Sequence, residues 1–167
     1  MLSFPLRSIL LAACTLGLAA CASYPGDIKP GMSLDELKIH YGNPAAQRRD
    51  AEGQTVIYTT QPMGQFAWAA QLGADQRVVK VEQVLTSEQF ARVRKDEWTA
   101  DTVRERFGPP AEINRYAADK IWWSYRYREN SVWPMLMNIR FDATGVVREM
   151  INTPDPMYTP AINDRER

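Results

Sequence analysis

One twelve-residue pattern occurs twice in this chain, and each occurrence carries every signal that a short helix needs. Ser33 to Pro44 reads SLDELKIHYGNP, and Thr99 to Pro110, 66 residues later, reads TADTVRERFGPP. Ser33 and Thr99 are N-cap hydroxyls, suited to accept a bond from a first-turn backbone N–H that has no intrahelical partner. Met32 and Leu37 stand at the N′ and N4 positions of a hydrophobic staple, and Trp98 and Val103 repeat that pair. Leu34, Leu37 and Tyr41 are spaced i, i+3, i+7, as are Ala100, Val103 and Phe107, so each helix has one apolar stripe to bury. Gly42 and Gly108 are predicted to take the left-handed C′ position, with Pro44 and Pro110 blocking continuation. Only Asp35/Asp101, Gly42/Gly108 and Pro44/Pro110 are identical between the two segments. Physical roles recur more than letters do, which predicts an internal repeat.

Strand patterns follow each helix. Thr55 to Thr60 is rich in β-formers, Phe66, Trp68, Ala70 and Leu72 alternate with other residues, and Val78 to Leu85 lies beyond a Gly73-Ala74-Asp75 turn. Thr86 to Arg94 reads as a short helix that Thr86 could cap, with Phe90 and Val93 one turn apart. After the second capped helix, Ile121 to Arg128 (IWWSYRYR) places Trp123, Tyr125 and Tyr127 on one face and Trp122, Ser124, Arg126 and Arg128 on the other. Trp133, Met135, Met137, Ile139 and Phe141 form a second alternating stripe. Pro134 cannot donate to a ladder and marks an edge or a strand start. Asp142 to Gly145 is a hairpin turn, and Val146 to Ile151 closes the unit. The expected class is α+β: two tandem repeats, each one or two short helices packed on an antiparallel sheet of three or four strands. Thr153 to Arg167 has three prolines and no periodicity, the composition of a disordered tail.

The first residues form a targeting segment. Arg7 is the lone positive charge before a short apolar run, Ser8 to Ala20, that ends in small residues. This run is shorter than the roughly 20 residues a membrane helix needs. Leu18-Ala19-Ala20-Cys21 resembles the lipobox of bacterial lipoproteins, whose cysteine is lipidated after cleavage. Leu11-Ala12-Ala13-Cys14 also fits but would leave a hydrophobic region of only a few residues, so Cys21 is the expected site. Ordinary secretion with Cys21 as a free thiol is the alternative. A single acyl chain anchors only marginally, at roughly 0.8 kcal/mol per buried CH₂, whereas two or three hold a protein at a bilayer. In the resembling lipoproteins an Asp after the cysteine retains the protein at the inner membrane. Ala22 stands there instead, which implies the periplasmic face of an outer membrane.

Removing the first 20 of the 167 residues leaves 147, with 19 basic and 20 acidic side chains. Such a balance argues against nucleic acid, which needs a basic footprint. Cys21 would be the only mature cysteine, so no intramolecular disulfide is expected. Neither half of 147 residues buries a comfortable core alone, which favours two units sharing an interface.

Reaction chemistry is thinly represented. His40 is the single histidine, which rules out a multi-histidine metal site. No nucleophile elbow of the G-x-S-x-G type is present, and no glycine-rich phosphate loop suggests a nucleotide. Asp35 and Glu36 suit a helix N-terminus, where they favour the macrodipole and a capping box. No cofactor, metal or catalytic residue is expected. The candidate binding surface is the aromatic and basic stretch after the second helix. Trp and Arg dominate binding hot spots, and Trp122, Arg126 and Arg128 share a strand face, although plain solvent exposure or packing between the units is the competing role for that face.

Pro30-Gly31-Met32-Ser33-Leu34-Asp35-Glu36-Leu37, continuing to Tyr41-Gly42-Asn43-Pro44 behind a lipobox, resembles the SmpA/OmlA (BamE-like) family of outer-membrane lipoproteins. The second copy, with Glu97 and Trp98 in place of Gly31 and Met32, is similar to the tandem arrangement of beta-lactamase inhibitor protein, which shares the fold. The resemblance implies a signal peptide over 1–20, a tether over 21–29, BamE-like repeats over 30–85 and 86–152, and the tail over 153–167. It also implies a non-enzymatic, lipid-anchored protein that binds an envelope protein partner and supports outer-membrane assembly or integrity. A periplasmic inhibitor or ligand-binding module using the sheet surface is the alternative. Two features depart from these relatives: single-domain BamE-like accessories have one unit, and the beta-lactamase inhibitors are secreted and disulfide-bonded.

Overall fold

A computed structural model describes residues 24–51, 53–116 and 120–158 of the chain. The architecture is α+β, with two antiparallel four-stranded sheets and a few short helices. After a 3-10 turn at Pro25–Asp27 come helix α1 (Leu34–Tyr41) and strands β1 (Ala46–Asp50), β2 (Gly53–Thr59), β3 (Ala67–Leu72) and β4 (Val78–Gln83). Helices α2 (Ser87–Phe90) and α3 (Ala100–Phe107) lead to β5 (Glu112–Tyr116), β6 (Lys120–Glu129), β7 (Trp133–Phe141) and β8 (Val147–Pro154). Each sheet is a simple meander, ordered β1-β2-β3-β4 and β5-β6-β7-β8.

The caps form largely as the sequence requires. Ser33 and Glu36 make a reciprocal capping box: Glu36 N–H donates to Ser33 Oγ at 3.2 Å and Ser33 N–H to the Glu36 carboxylate at 2.6 Å. These bonds, the backbone one above all, hold the Glu36 carboxyl below its usual pKa. In α3 the N3 residue is Thr102, so only half the box exists: Thr102 N–H donates to Thr99 Oγ1 at 3.3 Å. The helix ends depart from the expected left-handed cap. Gly42 (φ 78, ψ −166) and Gly108 (φ 82, ψ −171) have positive φ but extended ψ. That region is essentially closed to residues with a Cβ, so the demand for glycine is stricter than in an ordinary left-handed cap.

A second adjustment concerns the segment before each helix. Gly31 N–H donates to Val78 O and Asp96 N–H to Val147 O, both at 2.8 Å. Both donors have positive φ, 92° and 65°. The backbone position of Gly31 is therefore matched by Asp96 and not by Glu97. Asp and Asn are among the few side chains that tolerate this conformation, and the Asp96 carboxylate is held there by Arg148.

Two apolar clusters form the core. The smaller joins Leu37 of α1 and Ile28 to Val56, Tyr58, Ala70, Leu72 and Val78 on one face of the first sheet. The larger joins Ile57, Ala67 and Ala69, on the opposite face of that sheet, to Phe90, Val103, Phe107, Trp123, Tyr125, Tyr127, Ile139 and Phe141. The first sheet is thus covered on both sides. This explains why β2 carries the consecutive buried run Val56, Ile57 and Tyr58, with none of the alternation of a half-exposed strand. The second sheet packs α3 on one face only. Trp123, Tyr125 and Tyr127 belong to that core face, as their spacing predicts.

Several expectations change. Strands β1 and β5 had no recognisable pattern: AQRRD and EINRY are short, polar and largely exposed. Helix α2 spans only four residues, capped by Thr86 through Gln89 N–H at 3.2 Å. Trp133, first in the β7 stripe, is exposed, whereas Ile139 and Phe141 are buried. Thr153 and Pro154, placed by composition in a disordered tail, complete β8, and Asp155 beyond them is fully buried. Residues 156–158 form a turn; the rest of that expected tail, 159–167, lies outside the described residues, as do the signal segment and Cys21. No helix among the described residues is long and apolar enough to cross a membrane.

Candidate functional site: the open face of the second sheet

The face of the second sheet that points away from α3 is set by strand register. Glu112, Ser124, Asn138 and Ile151 form one row across β5 to β8, and Asn114, Trp122, Arg140 and Glu149 form the next. A groove of about 360 Å³ lies over these rows, lined by Asn114, Tyr116, Trp122, Ser124, Asn138, Ile151 and Thr153. Its floor is tied down by hydrogen bonds. Ser124 Oγ donates to Asn138 Oδ1 at 2.7 Å, and the Asn138 amide nitrogen donates to Thr153 Oγ1 at 3.0 Å and to Ile151 O at 3.2 Å. Asn138 thereby has one amide orientation, and the polar floor is satisfied without a ligand.

The charges at its margins are paired. Arg126 meets Glu112 at 2.7 Å and Arg140 meets Glu149 at 2.9 Å. Between them stand Trp122, partly buried, and Tyr116, 59% exposed. Neither ring, nor the Asn114 amide, makes a hydrogen bond or ring contact among the described residues. A rigid, uncharged floor beside two unengaged aromatic rings is the composition of a contact surface, because such rings bury large apolar area at little entropic cost.

The three residues proposed from sequence do not act together. Trp122 lines the groove. Arg126 is only 5% exposed and is corrected from a contact residue to a structural one. It lies where β6 outruns β5, and Gln61 from the loop between β2 and β3 takes over the missing ladder partner. The Gln61 amide nitrogen donates to Arg126 O at 2.7 Å, while Arg126 N–H donates to Gln61 Oε1 at 3.4 Å. The Arg126 side chain is closed in by Glu112 and by buried Asp155, whose Oδ2 lies 3.5 Å from Nε. Arg128 is exposed, yet it also serves the junction: its Nε donates to Gln65 Oε1 at 2.9 Å, and its guanidinium lies 5.9 Å from the Phe66 ring centre. Both arginines hold the 60–66 loop against the second sheet. His40 is exposed on α1, with its ring centre 6.1 Å from that of Tyr41.

Comparison with known proteins adds no relative. The chain matches no family model, no curated protein and no solved structure. Asn114, Tyr116 and Asn138 were missed by sequence reasoning. Asn138 stands opposite Ser124 only once β6 and β7 are registered, and Asn114 and Tyr116 belong to the strand that had no pattern.

Proposed function

We propose that this chain is a non-enzymatic outer-membrane lipoprotein, anchored through Cys21 on the periplasmic face, whose second sheet binds an envelope protein partner. In this reading the two halves are tandem BamE-like modules, over 30–85 and 86–152 with the second extended through β8, and the protein supports outer-membrane assembly or integrity. The observation that carries it is the difference between two sheets of the same order. In the first, the face away from α1 is covered by the second half of the chain. In the second, the face away from α3 holds Trp122 and Tyr116 beside a neutral, hydrogen-bonded floor and has no helix over it. The tandem relation is supported by matching details at the two helices: a hydroxyl N-cap, a positive-φ glycine stop, and a following-strand tyrosine bonded to that glycine's carbonyl.

Crosslinking and pull-down from membranes, wild type against Trp122→Ala/Tyr116→Ala, tests the surface. Recovery of the same partners at the same level would remove this face from the proposal. Metabolic labelling with an alkyne fatty acid, wild type against Cys21→Ser, tests the anchor, and an unlabelled wild type would end the lipoprotein reading. The second reading, a periplasmic inhibitor or ligand-binding module, draws on the groove volume of about 360 Å³. It predicts saturable binding of a ligand to the purified chain, lost in Trp122→Ala, with no membrane partner captured.

A further inference from the structure

On the other face of the molecule's first sheet, the apolar row that joins the two halves gives way to a polar one. Register aligns Arg48, Thr55, Gln71 and Lys80 across β1, β2, β3 and β4 in a single lateral row. Next to it run Ala46, Ile57, Ala69 and Glu82, of which Ile57 and Ala69 are buried against the second half. The polar row therefore begins where the interface between the halves ends. There it floors a cavity of about 230 Å³, whose walls include Arg92, just after α2, and Arg106 of α3.

The cleft carries four cationic side chains, Arg48, Lys80, Arg92 and Arg106, against the carboxylate of Glu82 on its wall and that of Asp50 paired with Arg48, a local net charge of plus two. Glu82 is already engaged, 3.1 Å from Lys80 Nζ and accepting from the Gln89 amide at 2.7 Å. Buried Gln89 in turn accepts from Arg106 Nη2 at 3.3 Å, which holds that guanidinium at the wall. Arg48 is steered by Asp50, 3.0 Å from its Nε. The Arg92 guanidinium has no hydrogen bond or ion pair among the described residues. Thr55 and Gln71 supply a neutral hydroxyl and amide between the cations.

We propose that this cleft binds a phosphate monoester. Three guanidinium forks from separate elements suit the oxygens of a tetrahedral oxyanion. A phosphate monoester brings roughly −1.5 to −2 of charge and matches that excess, whereas one carboxylate would leave about half of it uncompensated. The half-enclosed setting strengthens each contact relative to a flat basic patch. Both a soluble phosphate ester and a phospholipid headgroup share this chemistry.

Isothermal titration calorimetry on the full chain in neutral detergent tests the site, with glycerol 3-phosphate in one arm and dihexanoyl phosphatidic acid in the other. Saturable binding is expected, weakened on the order of tenfold in Arg92→Gln and in Lys80→Gln and unchanged in Lys38→Gln on α1. Loss of one well-placed charge contact is worth about that factor. Both cleft variants alter exposed side chains and are expected to melt with the wild type. Binding in the first arm alone assigns a soluble ester, and competition by the lipid assigns a headgroup. Absence of saturable binding in both arms overturns the proposal. So does an unchanged dissociation constant in both cleft variants, or an equal loss in Lys38→Gln.

Discussion

Tyr125 on β6 donates its hydroxyl to the carbonyl oxygen of Gly108, the residue that ends α3, at 3.0 Å. Tyr58 on β2 makes the corresponding bond to Gly42 at 3.2 Å. In each case a core tyrosine satisfies a carbonyl exposed by the turn out of the helix, and so links the helix end to the second strand of its sheet. The ring centres of Phe107 and Phe90 lie 5.9 and 6.1 Å from that of Tyr125, so this link sits inside the aromatic core.

Removing the hydroxyls should therefore cost unequally. Tyr125→Phe leaves the Gly108 carbonyl buried without its partner, a penalty of about 1–3 kcal/mol. Tyr58→Phe, at a bond closer to the surface, should fall at the low end of that range. Urea unfolding of both variants measures the difference. A smaller loss in Tyr125→Phe than in Tyr58→Phe would contradict the burial argument.

Alkaline pH should weaken the fold through the same two residues. Burial raises the Tyr58 phenol from 10.0 to about 12 and raises that of Tyr125 further. Above pH 10 the unfolded chain loses these protons while the folded chain keeps them, so the unfolded state binds fewer protons and stability falls with pH. The contribution is complete below pH 10 and disappears as pH rises through the folded-state values. Unfolding free energy measured between pH 9 and 12 should decline, and Tyr58→Phe should show a shallower decline than wild type.

Gly108→Ala should be more damaging than Gly42→Ala. Both glycines combine positive φ with extended ψ, so an alanine carries backbone strain of roughly 1–3 kcal/mol at either position. A Cβ at Gly108 would also lie 3.2 Å from Ile57 Cγ2, whereas one at Gly42 meets nothing within 4 Å. That contact lies where α3 approaches the first sheet. A larger fall in melting temperature for Gly108→Ala than for Gly42→Ala checks the difference.

The caps, staples and glycine stops were legible because helix signals are local, decided by residues three or four apart. The same holds for the Trp123, Tyr125 and Tyr127 face, where alternation within one strand was enough. What lay beyond reach was pairwise and long-range. Strands β1 and β5 have little buried face of their own and exist because β2 and β6 offer them an edge. Arg126 read as a surface hot spot because nothing in its own segment shows that Gln61 and Asp155 close over it. The groove shares this difficulty, since Asn114, Trp122 and Asn138 become neighbours only through register.

Asp142 should titrate well below an ordinary carboxyl. The Val146 N–H, the Thr144 hydroxyl and Arg148 all act on it within the β7–β8 turn, with the backbone bond from Val146 foremost. Its stabilising contribution is present above the usual carboxylate pKa near 3.8 and is lost as pH falls through the lower folded value. Carboxyl-carbon NMR titration should place its midpoint below the usual carboxylate value near 3.8. Arg148→Gln should move it back only in part, because the backbone donor remains.

Asp155 and Arg126 supply the sharpest test of where the folded domain ends. The Asp155 side chain is fully buried and that of Arg126 is 6% exposed, so neither charge is solvated by bulk water. Removing one member of a buried pair leaves the other charge uncompensated, at a typical cost of 3–5 kcal/mol. Glu112, 44% exposed and 2.7 Å from Arg126 Nη2, offsets part of that cost, so the lower end of the range is expected for Asp155→Ala. Arg126→Met in the same background removes the stranded guanidinium and should recover much of the loss. A double-mutant cycle by urea unfolding measures this recovery. Had 153–158 been a loose tail, Asp155→Ala would leave stability within about 0.5 kcal/mol of wild type, the range of ordinary surface changes. A cycle with no coupling between positions 126 and 155 would refute the buried pair and, with it, the placement of the C-terminal turn over the end of the second sheet.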